Sequence, residues 1–159
     1  MKRLVAFGVV VVALVCFSVS GRTQAKDIVE TAVAAGNFTT LAKLLTDADL
    51  IGVMKSPGPF TVFAPTDEAF AKVPKATLDA LAKDKAKLRA VLQYHVLTSK
   101  LVVSDLALVK RMGSVLGPAL TFTVKGNEVT VNDARVLESN IDCANGVIHV
   151  IDTVLIPPQ

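Results

Sequence analysis

The stretch Phe60–Phe70 constrains the fold more than any other part of the chain, because it encodes a strand, a stop and a helix start in succession. Residues 60–64 are mostly apolar or β-branched, which is typical of a short buried strand. Pro65 lacks a backbone N–H, so it predicts the end of that strand. Thr66 can cap a following helix, and Asp67 would favour its positively polarised start. We therefore expect one strand-to-helix corner here.

A second stretch, Asn145–Asp152, predicts a turn that leads into a core strand. Asn-Gly pairs favour tight turns, because both residues tolerate unusual backbone angles. His149 shares a strand face with Val147 and Ile151, since side chains alternate along a strand. A buried imidazole needs partners for both ring nitrogens. His149 is therefore interpreted as a structural residue with fixed hydrogen bonds.

Helix signals dominate the chain before about residue 110. Asp27 and Glu30 have the spacing of a capping box, and Gly36 predicts the end of that first helix. Asn37 follows at once and is expected to cap a second helix. Residues 37–39 also form an N-glycosylation sequon, but the cap explains Asn37 without a sugar.

A longer helix is expected after Asp84, and it carries the first of the two histidines. Leu88, Val91, Leu92 and His95 have the i, i+3, i+4, i+7 spacing of a single helical face. The pattern places His95 on the apolar side. His95, like His149, is therefore predicted to be buried and hydrogen-bonded.

The pattern changes to β after Gly113. Apolar residues alternate with polar ones on both sides of Gly126-Asn127, which predicts a two-residue hairpin loop. That loop would pair Lys125 with Glu128 across the two strands. Further strands are expected over Ala134–Leu137 and Val147–Ile151, with Val154–Ile156 as a candidate for one more. Helices followed by antiparallel strands indicate an α+β domain.

The first 25 residues have the order of a secretory signal peptide. A short basic segment, Met1–Arg3, precedes a charge-free apolar run over residues 4–19, and cleavage is expected after Ala25. This predicts a signal peptide over 1–25, a single domain over 26–159, and a secreted or periplasmic location. The alternative is a leader that is not cleaved and stays as a membrane anchor. A membrane is an expected partner only in that case.

The mature chain carries balanced charge and little that suggests chemistry. Residues 1–25 contain three basic residues and no acidic one, which leaves fourteen of each. Nucleic acid is therefore not an expected partner. The spacing of the histidines fits no metal motif, so we expect no metal, cofactor or catalytic residue. Cys143 is predicted to be buried. A hydrolytic Cys143–His149 pair is the open alternative.

Three blocks together resemble the fasciclin (FAS1) domain family: Phe60–Phe70, Gln93–Val96 and Asn145–Asp152. The resemblance extends over the whole mature chain and is strongest to single-domain secreted bacterial members. It implies a wedge-shaped β-sandwich of two packed sheets with helices grouped at one side. The residues assigned to this structural motif are Phe63, Pro65, Thr66, Asp67, Phe70, Asn145, Gly146 and His149.

The resemblance also implies a function in cell adhesion, through an unidentified cell-surface, matrix or envelope component. In animal members, partner binding is associated with the Tyr-His block and with an Asp-Ile pair before the Asn-Gly turn. This chain has Tyr94 and His95, but Asn140 precedes Ile141, so the carboxylate is missing. These four residues are the predicted partner-binding set. The alternative function is small-ligand or polysaccharide binding, with a small ligand held in a pocket between the helices and the sheet.

Overall fold

Seven helices and seven strands make up residues 25–158, the part of the chain that the computed structural model describes. The helices are α1 (Ile28–Ala35), α2 (Thr39–Asp47), α3 (Ile51–Met54), α4 (Asp67–Ala71), α5 (Lys75–Lys83), α6 (Lys85–Tyr94) and α7 (Val103–Val109). The strands are β1 (Phe60–Pro65), β2 (Val96–Leu97), β3 (Arg111–Gly113), β4 (Ala119–Lys125), β5 (Glu128–Val131), β6 (Ala134–Cys143) and β7 (Gly146–Ile151). The α+β class is confirmed.

The strands follow one hydrogen-bonded order, β2-β1-β7-β6-β5-β4-β3. β1 and β7 run parallel, from Phe60 opposite Gly146 to Pro65 opposite Ile151, and the other pairs are antiparallel. The long strand β6 connects the two halves of the sheet. Its first two residues pair with β5, and the rest pairs with β7 through two register shifts. Such irregularities bend a strand.

Two apolar cores lie on opposite faces of the β1–β7 pair. Val62 and Ile148 face the helices and belong to the core formed with α1, α2 and α6. Phe63 and Ile151 point the other way, into a core shared with β4 and β5. There the ring of Phe63 stacks on Phe122, with the ring centroids 5.8 Å apart. β1 and β7 are therefore buried on both faces, at the centre of the molecule.

The caps of α1, α4 and α6 follow the sequence prediction. Asp27 and Glu30 form the capping box of α1, and Gly36 ends that helix with a φ of 77°. Thr66 accepts a hydrogen bond from the amide of Ala69 at the start of α4. Asp84 does the same for α6. These caps lie within three residues of the amides they bind, which is why the sequence reveals them.

The predicted Asn37 cap of α2 is wrong. The helix begins after Phe38, whose side chain has no acceptor, and the carboxylate of Asp67 takes the capping role instead. Asp67 accepts hydrogen bonds from the amides of Thr40 and Thr39, at 2.8 and 3.3 Å. Desolvation by itself would raise the pKa of Asp67, but these bonds outweigh it and hold the pKa below its usual value. Asp67 thus ties the β1–α4 corner to α2.

The predicted hairpin is confirmed, and one strand is longer than predicted. Lys125 lies opposite Glu128, and Gly126 adopts a φ of 60° in the loop between them. β6 continues to Cys143, beyond the predicted end at Leu137. Residues 154–156 are not a strand. β2, β3 and α7 were not predicted, because each has seven residues or fewer and no clear period.

The predicted signal peptide lies almost wholly outside the described residues, which begin at Ala25. None of the helices within residues 25–158 has the length and apolar character needed to span a membrane.

Candidate functional site

His95 connects the end of α6 to the last segment of the chain. Its Nδ1 donates a hydrogen bond to the carbonyl of Val91 at 2.7 Å, and its Nε2 accepts one from the amide of Leu155 at 2.9 Å. Desolvation lowers the pKa of His95 to about 4, although the bond to Val91 opposes this shift. The imidazole is therefore neutral at pH 7, and it holds Leu155 against the core.

His149 on β7 likewise binds backbone groups through both ring nitrogens. Its Nε2 donates to the carbonyl of Leu101 at 2.8 Å, and its Nδ1 accepts from the amide of Asn140 at 3.3 Å. The ring stacks on Phe63, with centroids 5.5 Å apart. Desolvation lowers the pKa of His149, with an opposing effect of the bond to Leu101. One side chain thus fixes both the loop before α7 and the irregular part of β6.

Thr61 is a buried polar residue in the central strand β1. Its hydroxyl donates to the carbonyl of Ser99 and accepts from the amide of Leu101 at 2.8 Å. Leu101 is therefore held at its amide by Thr61 and at its carbonyl by His149. A hydroxyl in an otherwise apolar central strand was the signal that could have indicated this role, because a buried hydroxyl needs a partner.

Asn145 joins segments that are far apart in sequence. Its Oδ1 accepts from the amide of Ile28 at 3.0 Å, while its Nδ2 donates to the carbonyls of Met54 and Ser56 at 2.6 and 3.0 Å. Gly146 makes a close backbone contact beside it. A Cβ atom at Gly146 would lie 2.1 Å from the carbonyl oxygen of Phe60, so only glycine fits. The Asn-Gly turn is thus the junction of β1, α1 and α3.

Tyr94 is also part of the interior. Its hydroxyl donates to the carbonyl of Ala119 at 3.4 Å and accepts from Nδ2 of Asn132 at 3.0 Å. Tyr94 and His95 are each only 3% exposed. A partner on the surface cannot reach either side chain in this conformation. The expectation that these two residues contact a partner therefore disagrees with their burial.

The other predicted partner-binding residues lie at an exposed corner. Asn140 is solvent-exposed with a φ of 59°, and its Oδ1 accepts from the amide of Val103 at 3.0 Å. Ile141 is half-buried against the helix-facing core. The next residue, Asp142, forms an exposed ion pair with Lys100. We call Lys100 and residues 140–142 the β6 corner. It combines exposed side chains with a backbone that His149 and α7 hold in place.

The Cys143–His149 pair is not formed. Cys143 is buried, and its Sγ lies 3.6 Å from the carbonyl oxygen of Ile141. Desolvation raises the pKa of the thiol, which disfavours the reactive thiolate. Both nitrogens of His149 already bind backbone groups. Within residues 25–158, there is no group of three or more His, Cys, Asp or Glu side chains arranged to hold a metal.

Within residues 25–158, two apolar spaces lie between the helices and the sheet. The interior one, between α1, α2 and the sheet, has a volume of about 30 Å³, which is room for one or two water molecules. It does not provide the deep, partly polar pocket that a small-ligand carrier of the predicted kind would need. The second space is a surface groove of about 180 Å³ along α3 and α6.

This chain is similar to known proteins in both sequence and fold. The sequence model of the protein family described as Fasciclin domain matches residues 36–157 of this chain. Protein sll1483 of Synechocystis sp. is 45% identical over 140 residues, covering 86% of this chain and 76% of that protein. The immunogenic protein MPB70 of Mycobacterium bovis is 36% identical over 135 residues, covering 80% of this chain and 68% of that protein.

Two further similarities are to longer proteins. Transforming growth factor-beta-induced protein ig-h3 of Sus scrofa is 37% identical over 121 residues, which is 76% of this chain but only 18% of that protein. The solved FAS1 domain pair of the insect cell adhesion molecule Fasciclin I has a TM-score of 0.64 and 20% identity, covering 77% of this chain and 46% of that one. At that identity, the likeness shows the fold alone.

Proposed function

The chain belongs to the fasciclin domain family, and we propose that it is an exported, non-enzymatic adhesion domain that binds a cell-surface, matrix or envelope component. One relative in fold is a domain pair from an insect cell adhesion molecule. The residues that could have suggested chemistry are engaged in holding the backbone, since both nitrogens of each histidine are bound to it.

The observation that carries the proposal is the contrast between burial and exposure within the predicted partner-binding set. Tyr94 and His95 are inside, whereas Asn140 is exposed on a fixed backbone. Beside Asn140, the β6 corner presents a positive and a negative side chain next to each other. Exposed side chains on a rigid support suit recognition, because little conformational entropy is lost on binding. The β6 corner is therefore our proposed contact surface.

Charge reversal at this corner tests the proposal. Asp142→Lys, in the protein purified after export, should weaken binding about fivefold or more by placing two positive charges together. Binding would be measured on intact cells of the source organism, on their purified envelope polysaccharide and on matrix-coated plates. The polysaccharide arm also tests the alternative function.

A matched control variant is available in the β4–β5 hairpin. Glu128 forms an exposed ion pair with Arg135 and sits on a strand, as Asp142 does, with 52% of its side chain exposed against 73%. Glu128→Lys should leave binding unchanged. Exposed ion pairs contribute little, so neither variant should change the free energy of unfolding by more than about 0.5 kcal/mol. The proposal would be overturned if Asp142→Lys and Glu128→Lys bound with equal affinity, or if the wild type showed no saturable binding to any of the three surfaces.

A further inference from the structure

The surface groove beside α3 and α6 has a lining that the adhesion proposal does not use. Ten residues line this groove, and they come from α2, α3, β1, α6 and β2 and from the segments that follow α2, β2 and β3. Eight of the ten are apolar and none is charged. We call this feature the α3–α6 groove. Its uncharged lining favours a neutral, largely hydrocarbon ligand, because nothing in it would compensate the desolvation of an ion.

The groove has a buried floor and an exposed rim. Met54 and Leu92 are buried at its base, while Val53 and Val115 are exposed at its edges. The amide of Val115 donates to the carbonyl of Val96 at 2.9 Å, so one rim is fixed to the sheet. The groove therefore exists before any ligand arrives, which lowers the cost of binding.

Its size points to a small ligand rather than a protein. A stable protein interface uses about 20–30 residues on each side, well above the ten that form the groove. An apolar cavity of about 150 Å³ lined by similar side chains can hold a benzene molecule. The volume of about 180 Å³ therefore suits a hydrocarbon group of about six to eight carbon atoms.

The groove and the interior cavity share four lining residues, which favours a linear chain as the ligand. Leu45, Met54, Leu92 and Val96 line both the groove and the small interior cavity of about 30 Å³. These four side chains are thus the wall between the two spaces. Methionine is unbranched and adapts readily to new surroundings, so Met54 can give way to a narrow chain. A linear chain can then extend from the groove toward the interior cavity.

We propose that the α3–α6 groove binds the hydrocarbon chain of a neutral amphiphile. Gln93 and Thr98, the polar members of the lining, bind its hydroxyl or amide group. This site is separate from the β6 corner, so either proposal can fail without the other.

A series of 1-alkanols tests this proposal by methyl NMR. Met54 reports from the groove, and Met112 on β3 serves as an internal control because it belongs to the other core. Titration with 1-octanol should shift the Met54 methyl signal saturably and leave that of Met112 in place. Affinity should rise about fifteenfold from 1-hexanol to 1-octanol, since two more methylenes are buried. Octanoate should bind more weakly than 1-octanol.

Rim variants complete the test. Val115→Asp should weaken 1-octanol binding at least tenfold, whereas Val109→Asp on α7 should not, although the two valines are similarly exposed, at 41% and 36%. Val53→Asp, at the other exposed edge of the groove, is a second rim variant and should weaken binding in the same way. Circular dichroism would check that each variant keeps the native fold. No saturable Met54 shift, an equal shift of Met112, or unchanged binding by both rim variants would overturn the proposal. A dimer that Val115→Asp dissociates, seen by sedimentation velocity, would identify a second copy as the occupant instead.

Discussion

The Tyr94–His95 block and the β6 corner differ in exposure, although the family resemblance links both to partner binding. In the first, the side chains are buried and bind the backbone of β4 and of the last segment. In the second, the side chains of Lys100, Asn140 and Asp142 are exposed, and the backbone is held by His149. Motif residues of one family can therefore divide between a buried scaffold and an exposed surface. Changes in the first should lower stability, and changes in the second should lower binding.

The largest expected effect is at the Asn-Gly turn of the scaffold. Gly146→Ala should lower the free energy of unfolding by about 3 kcal/mol, because the new Cβ would clash with the backbone of Phe60 and with the Ile28 side chain. Gly52→Ala is the control, since nothing lies within 4 Å of its added Cβ in α3. It should stabilise the protein slightly. Urea unfolding measures both, and similar stabilities would contradict the close contact.

The second prediction concerns pH. The unfolded chain binds a proton at His95 below about pH 6.5, whereas the folded protein binds it only near pH 4. Stability should therefore fall as the pH drops from about 6.5 to 4, by about 3 kcal/mol for His95 alone. His149 should add to the loss, since its pKa is also lowered. Urea unfolding at several pH values measures this, and His95→Gln should flatten the curve. A flat wild-type curve would argue against neutral, buried histidines.

His149→Ala comes next, with an expected loss of about 1–3 kcal/mol. The change leaves the carbonyl of Leu101 and the amide of Asn140 without their partner. Thermal unfolding measures the loss. Because Asn140 belongs to the β6 corner, binding should weaken modestly as its backbone loosens. Lost binding with an unchanged melting curve would instead make His149 a recognition residue.

The sequence predicted features whose partners are close along the chain. The capping box at Asp27, the caps at Thr66 and Asp84, and the pairing of Lys125 with Glu128 are all local. Periodicity also placed His95 on the buried face of its helix. Such features follow from local geometry, so one sequence is enough to reveal them.

Features that depend on distant partners could not be predicted. Asp67 caps a helix that starts 28 residues earlier, and Asn145 binds the amide of Ile28 across 117 positions. Local rules assigned Asp67 to its own helix, assigned Asn145 to its own turn, and chose Asn37 as the cap of α2. The parallel pairing of β1 with β7 was missed for the same reason. The exposure of the β6 corner likewise depends on how far β6 continues past Leu137.

The most direct test of the division between scaffold and surface is the binding curve of Tyr94→Phe. The change removes only the hydroxyl that contacts Ala119 and Asn132, so it should lower the free energy of unfolding by about 1 kcal/mol. Measured well below the melting temperature, its affinity for the surface that the wild type binds should equal that of the wild type. A clear loss of affinity with a native melting curve would show that Tyr94 contacts the partner, and would contradict its assignment to the scaffold.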